Sequence, residues 1–247
     1  MIKRDVSIIM SVYNDQETLS KSILSILRQS FKNFEFMIID DGSIDNSKKI
    51  LRYYKKIDKR IRLFKNKKNM GLAFSLNKLI KASKGKYLAR MDSDDYATKQ
   101  RLKIQYSYLN KNRNIDLIGS QAITDKGKIL KMPKSYNSIR EQIIKNNPFL
   151  HSTVMGKSVF FKDNNYNTSY KKCQDYELWL RTYRYYKFNN INKVLLVYKR
   201  NKTDFKTISL TFYLMLSNSL QEKNRKLESI FHSFFSLVKN IINYIIK

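Results

Sequence analysis

Val6-Ser7-Ile8-Ile9-Met10-Ser11-Val12-Tyr13-Asn14 is the stretch from which the rest of the chain is read. Val6 to Val12 is nearly continuous in apolar residues and is bounded by Asp5 and by Tyr13-Asn14, as expected of a strand buried on both faces. Working outward, Leu19, Ile23, Ile26 and Leu27 recur at helical spacing, and Phe34 to Ile39 forms a second buried strand that stops at Asp40-Asp41-Gly42-Ser43. Ile50, Leu51, Tyr54 and Ile57 suit a helix, Ile61 to Phe64 a third strand, Leu72 to Ala82 a helix, and Tyr87 to Met91 a fourth strand ending at Asp92. This alternation predicts an α/β fold of βαβ units, with a mostly parallel sheet and right-handed crossovers. Asn14, Asp41 and Asp92 each follow a strand, so they fall on one carboxyl edge, where open α/β sheets bind ligands.

Beyond Ile118 the rhythm becomes α+β. A hairpin is expected at Asp125-Lys126-Gly127-Lys128, a helix over Ile139 to Ile144, a strand over Ser152 to Met155, an aromatic-rich helix over 175–186, and a last strand over Val194 to Tyr198. After about Thr203 the pattern is helical to the end, with Phe231, Phe234, Phe235, Val238, Ile241, Ile242 and Ile245 at spacings of three and four.

A length of 247 residues suits one large α/β domain or two small ones. Cys173 is the one cysteine, which excludes an intramolecular disulfide and makes a reducing cytoplasm the simpler setting. No apolar run reaches the roughly 18 residues of a membrane span, and the opening segment is not expected to be a signal peptide. The formal charge of +29 would attract polyanions, but the basic residues are scattered, and neither zinc-binding Cys/His spacing nor an RNA-stacking aromatic signature is present. Nucleic-acid binding therefore ranks last. There is no G-x-G-x-x-G after the first strand and no G-x-x-x-x-G-K-[ST], which argues against dinucleotide oxidoreductases and P-loop NTPases. His151 and His232 are the only histidines, too few for histidine-based zinc chemistry.

On so basic a chain, clustered carboxylates draw notice. Asp41-Gly42-Ser43 reads first as a turn, with Asp41 bonding its own downstream backbone and Gly42 at positive φ; the functional reading makes a carboxylate the acceptor for a nucleobase N–H. Asp92-Ser93-Asp94-Asp95 brings together three acids that repel unless a cation or a helix amino terminus neutralises them. Either the loop caps a helix beginning near Thr98, or one or two of its acids hold a hydrated divalent ion completed by phosphate oxygens. Asp175 is a first-turn helix acid or a general base toward a hydroxyl. Glu177 is a second candidate base, or the i,i+4 partner of Arg181. Cys173 reads as a small apolar residue before it reads as a nucleophile.

With these residues in hand, the chain resembles the family 2 glycosyltransferases, inverting enzymes of GT-A fold, over roughly residues 4 to 202. The resemblance is carried by the ordered segments Val6 to Asn14, Ile38 to Ser43, Asn69-Met70-Gly71-Leu72-Ala73, Ala89-Arg90-Met91-Asp92-Ser93-Asp94-Asp95, Asn147 to Met155 and Gln174 to Arg181. It implies a nucleotide-diphosphate sugar donor, most often a UDP-sugar, with Mn2+ or Mg2+ bridging the diphosphate, and hexosyl or N-acetylhexosaminyl transfer. Asp41 would contact the base, Asp92 the ribose or the metal, Asp94 the metal in a DxD motif, and Asp175 would activate the acceptor hydroxyl. Val12, Asn14, Arg90 and Ser93 would complete the donor site, and His151 would lie near the acceptor. The implied division is a GT-A domain over 1–205, with a nucleotide-sugar half 1–122 and an acceptor half 123–205, and a helical tail 206–247. The implied setting is bacterial surface-polysaccharide synthesis on a glycan or lipid-linked acceptor. Family members often carry a histidine after the last strand, where Tyr198-Lys199-Arg200-Asn201 stands, and Asn201 is a weaker ligand; the segment from Lys162 to Cys173 also lacks the family's glycine pair. These departures keep open a catalytically weakened module that binds nucleotide sugar or partner proteins. The tail would pack on the domain or on a second copy in a homodimer, or rest through 229–247 on the anionic inner face of a membrane.

Overall fold

A computed structural model of the protein describes residues 4–199 together with Ser209, Leu210, Thr211, Tyr213, Leu214 and Ser217. The first half follows the expected alternation: β1 (Val6–Val12), α1 (Leu19–Leu27), β2 (Phe34–Asp40), α2 (Ser47–Ile57), β3 (Ile61–Lys65), α3 (Leu72–Ala82) and β4 (Tyr87–Arg90). These strands are parallel in the order β3-β2-β1-β4, with Val6 of β1 opposite Phe34 on one side and Tyr87 on the other. Strand periodicity sends alternate side chains to opposite faces. Ile8, Met10 and Val12 therefore join Leu19, Ile23, Ile26 and Leu51 in one core layer. Ile9, Met37 and Ile39 meet Ala73, Leu76, Leu79 and Ile80 in the other. Both layers are closed to water, and each fully buried aliphatic side chain is worth about 1.5–3 kcal/mol.

The chain continues through β5 (Tyr96–Ala97), α4 (Arg101–Lys111), β6 (Leu117–Thr124), β7 (Ile129–Leu130) and α5 (Tyr136–Ile143). It then forms a short 3-10 turn (His151–Thr153), β8 (Met155–Lys157), α6 (Ser158–Asp163), α7 (Gln174–Thr182) and β9 (Phe188–Tyr198). All strands join one nine-stranded sheet, ordered β3-β2-β1-β4-β8-β6-β9-β5 with β7 on β6. β8 runs antiparallel between β4 and β6, β9 runs parallel to β6, and β5 pairs antiparallel with β9.

Four expectations in this half need correction. Ser152 and Thr153 lie in the 3-10 turn, where Thr153 Oγ1 donates to Leu150 O at 2.7 Å, so the strand expected over Ser152 to Met155 begins only at Met155. The helix expected over 175–186 ends at Thr182, whose Oγ1 bonds back to Leu178 O at 2.6 Å. The last strand begins at Phe188 rather than Val194, because its polar early residues pair with β6 through a register irregularity. The helix expected near Thr98 starts at Arg101, after the short strand β5.

Asn201 and residues 229–247 lie outside the described residues. The described start of the tail packs on the second core layer, where Leu214 is buried and Leu210 and Tyr213 lie against the same cluster. Among the described residues no helix is long and apolar enough to cross a membrane.

Candidate active site

Three loops meet at the carboxyl edge of the parallel strands. After β1, Asn14 adopts a left-handed backbone (φ 56), which asparagine tolerates better than most residues. Its N–H donates to Ser43 Oγ at 3.2 Å, and its Oδ1 accepts from Ile44 N at 2.9 Å. Asp15 N donates to Ser47 Oγ at 3.0 Å and Gln16 N to Asp45 Oδ2 at 3.0 Å, which laces the β1 loop to the β2 loop.

The turn after β2 is made by Asp40, not by Asp41 as the sequence suggested: Asp40 Oδ1 accepts from Ser43 N at 2.9 Å, and Gly42 takes φ 80. Asp41 is thereby released to hold the loop before α3. Its Oδ1 accepts from Asn66 Nδ2 at 2.7 Å and Met70 N at 2.9 Å, and its Oδ2 accepts from Gly71 N at 2.9 Å. The loops approach so closely that a Cβ on Gly42 would stand 2.6 Å from the Lys68 carbonyl carbon.

After β4 the three acids of the third loop fall into different surroundings. Arg90 is wholly buried, and its guanidinium pairs with Asp92 and donates to Met91 O. Arg101, also buried, donates to Arg90 O at 2.7 Å, while Ser22 Oγ donates to Asp92 O at 2.9 Å. Ser93 Oγ donates to Asp15. Asp95 is buried, accepts from Ser152 Oγ and from Lys199 N at 2.8 Å, and has its carboxyl pushed up to about 7 by burial first and the Asp92 charge second.

Two adjoining cavities open above these loops. The larger, about 650 Å³, is lined by Asn14, Asp15, Asp45, Asp94 and Lys199 among others. The smaller, about 360 Å³, is lined by Tyr13, Asp41, Asn69, Asp92 and Ser93, and shares Asp15 and Asp94 with the first. Five of the expected site residues thus face one cleft: Asn14, Asp41, Asp92, Ser93 and Asp94. Val12 does not: its side chain is in the core and its carbonyl accepts from Asp41 N at 2.8 Å. Arg90 lies beneath the cleft and acts on it through Asp92.

Asp175, in the first turn of α7, accepts from Asn147 Nδ2 at 2.8 Å. Burial raises its carboxyl pKa, and Asp92 is near enough to add to the rise. The Tyr198 hydroxyl is pushed up to about 12, chiefly by burial and further by the charges of Asp95, Asp92, Asp94 and Asp175. His151 Nε2 sits 2.8 Å from the Tyr166 hydroxyl, and burial holds the ring well below its ordinary pKa, hence neutral. Glu177 pairs with Arg181 at 2.8 Å, as its spacing suggested. Cys173 is half-buried at the start of α7, its Sγ 3.3 Å from Thr211 Oγ1.

Asp15, Asp95, Tyr198 and Lys199 were not among the candidates read from sequence. Asp95 stood in the acidic motif without a role. Tyr198 and Lys199 were noticed only for the histidine they replace.

Among the described residues no three acid, histidine or cysteine side chains are grouped to cage a metal. Asp94 faces both cavities and Asp92 has one oxygen committed to Arg90. One or two carboxylates fit a hydrated Mg2+ or Mn2+ completed by phosphate oxygens, which needs no protein cage.

Comparison with known proteins decides the family. The profile of glycosyl transferase family 2 matches residues 7–163, a span that includes the three loops. The chain belongs to glycosyl transferase family 2. Among its relatives, an uncharacterized glycosyltransferase of Methanocaldococcus jannaschii is 34% identical over 96% of this chain and 88% of its own length. The O-antigen biosynthesis glycosyltransferase WbnJ of Escherichia coli is 30% identical over 96% of both. The fold of this family 2 chain matches TarS 1–349 of S. aureus, solved with UDP, at a TM-score of 0.71 and 18% identity, covering 87% of this chain and 65% of that one. It also matches the mannosyltransferase PcManGT of Pyrobaculum calidifontis, solved with GDP-Man and Mn2+, at a TM-score of 0.70 and 15% identity, covering 92% of this chain and 68% of that one. The architecture is accordingly GT-A.

Proposed function

We propose that this chain is an inverting, metal-dependent glycosyltransferase that moves a hexosyl or N-acetylhexosaminyl group from a nucleotide-diphosphate sugar to a hydroxyl of a glycan or lipid-linked acceptor. A UDP-sugar is the preferred donor, and surface-polysaccharide synthesis is the preferred setting. The observation that carries the reading is the convergence of Asp41, Asp92 and Asp94 on one cleft, with Asp175 within charge range of Asp92. Family membership, the O-antigen relative and the nucleotide-bearing neighbours support it.

In this reading residues 1–122 form the donor half, 123–205 the acceptor half and 206–247 an accessory tail. Asn14, Asp41 and Ser93 line the donor cleft, and one Asp41 oxygen retains acceptor capacity for a base N–H. Asp94 and Asp92 would hold Mn2+ or Mg2+, which when bound neutralises charge on the departing diphosphate. Arg90 fixes the Asp92 carboxylate by its buried ion pair. Asp175 accepts the proton of the attacking hydroxyl as its oxygen bonds to the anomeric carbon and the sugar–diphosphate bond breaks on the opposite face. A carboxylate whose pKa is raised by burial is a stronger base than an exposed one, which suits that role.

Thermal unfolding tests the donor site without knowledge of the acceptor. UDP, GDP and dTDP, each with and without Mn2+, are added to the wild type and to Asp94→Ala. A ligand held at a hundred times its Kd stabilises the folded state by about 2.7 kcal/mol. A metal-dependent rise in Tm with one nucleotide, absent in the variant, is the expected result. No rise with any nucleotide would sink the donor-site reading and favour a partner-binding module.

A further inference from the structure

We infer that Asn147 is a positioning residue for the transfer step, its side-chain amide holding Asp175 in the orientation and charge state in which it takes the proton of the acceptor hydroxyl, an inference that rests on the reading of Asp175 as the base. Asn147 Nδ2 donates to Asp175 Oδ2 at 2.8 Å, and Asn147 Oδ1 accepts from Phe149 N at 3.2 Å. The second bond decides the first. An asparagine that bonds its own backbone two residues on presents oxygen to that N–H, which turns its NH2 toward the acid. One carboxylate oxygen is thereby held, and the group retains acceptor sites for a hydroxyl.

The amide is itself fixed from several sides. Pro148, with its restricted φ, is buried, and its carbonyl accepts from Asn190 Nδ2 at 3.0 Å. Phe149 is buried, its ring centroid 5.5 Å from that of Trp179 and 5.8 Å from that of Phe188. Trp179 stands four positions after Asp175, one turn along the same face of α7. Residues 147–149 thus grip that face at two points, Asn147 at the acid and Phe149 at the indole. Among the described residues, the ionisable groups that share a charge interaction with Asp175 are Asp92, Tyr166 ahead of α7 and Tyr198 at the end of β9. Burial lifts both phenols above their ordinary range and leaves them neutral. Burial first, and Asp92 as well, oppose ionisation of Asp175, and the Asn147 bond is the foremost influence in favour of it. Asn147 gives up no proton. The hydroxyl proton passes to Asp175 as its oxygen bonds the anomeric carbon, and the electron pair of the sugar–diphosphate bond leaves with the diphosphate.

The test compares wild type, Asn147→Ala and Asn147→Asp. The aspartate variant keeps an acceptor for the Phe149 N–H and loses only the donor; the alanine variant loses both. Two readouts are taken across pH. One is carbon-13 NMR of the Asp175 carboxyl in metal-free protein, assigned by its loss in Asp175→Asn. The other is nucleoside-diphosphate release from UDP-glucose, UDP-N-acetylglucosamine or GDP-mannose, with Mn2+ present and water as the acceptor. A hydrogen bond to a charged group is worth on the order of 10- to 100-fold in an equilibrium constant. Both variants are expected to titrate Asp175 at higher pH and to turn over slower by that factor on the acid side, recovering as pH rises. Donor KM is expected to stay within about 3-fold of wild type. Melting temperatures of the unliganded proteins verify the fold, and the aspartate variant decides if alanine folds poorly. An unchanged Asp175 titration in both variants overturns the Asn147 assignment and leaves Asp175 standing as the base. A slow alanine variant beside a wild-type-like aspartate variant overturns it as well, in favour of a residue that only makes the turn. Turnover by Asp175→Asn equal to wild type overturns the base and this inference together. If no donor is turned over, the carbon-13 titration decides alone.

Discussion

Asp95 and Asp175 are both carboxylates raised by burial, but they serve different ends. Asp95 titrates near 7 in the folded protein against an ordinary 3.8, so between those values the folded state keeps a proton that the unfolded chain has released. Its contribution to stability therefore falls as pH rises through that window and levels off above about 7. In metal-free protein, Asp95→Asn is expected to flatten the decline in Tm between acid and neutral pH; parallel curves for variant and wild type would refute the buried carboxyl. Asp175→Asn should lower transfer by about 10²- to 10⁴-fold and leave the nucleotide-induced rise in Tm intact. Wild-type transfer should rise with pH through the elevated Asp175 pKa, since only the ionised form accepts a proton. Residue identity alone could not say which of Asp40 and Asp41 makes the turn. The choice depends on Met70 and Gly71, roughly thirty positions away.

At the scale of elements, the loops after β2 and before α3 act as one unit, because Asp41 ties them and Gly42 permits their contact. Gly42→Ala meets the Lys68 backbone and a positive φ at once, and should cost about 2–4 kcal/mol and weaken nucleotide binding. Gly71→Ala meets open space and pays only for φ 90, about 1–2 kcal/mol. Urea melts of the two variants distinguish the cases, and equal losses would contradict the close approach at Gly42. The strands β1 to β4 were legible because a strand covered on both faces must be apolar throughout. β6 and the start of β9 were not, because Ser120, Gln121 and Asn190 are buried within them. Asn190 Nδ2 reaches Pro133 O at 2.7 Å and Pro148 O at 3.0 Å, partners that no local pattern announces.

Over the whole molecule, the second core layer holds an aromatic cluster around Trp179 on α7, with Phe149 at 5.5 Å and Phe188 at 6.2 Å between ring centroids. Trp179→Ala should cost about 3–5 kcal/mol and, because Asp175 lies on the same helix, lower transfer beyond what lost stability explains. Activity measured well below the variant's Tm separates the two effects, and full activity there would show that the cluster does not position the acid. The cleft has a comparable dependence on a strand distant in sequence. The bond between Asp95 and Lys199 joins residues 104 positions apart, and among the described residues β5, which follows the acidic loop, pairs only with β9. Closing so long a loop is slow. A growing chain on the ribosome therefore carries every acid of the loop long before Asp95 can meet Lys199, and the larger cavity gains its full lining only once β9 has docked.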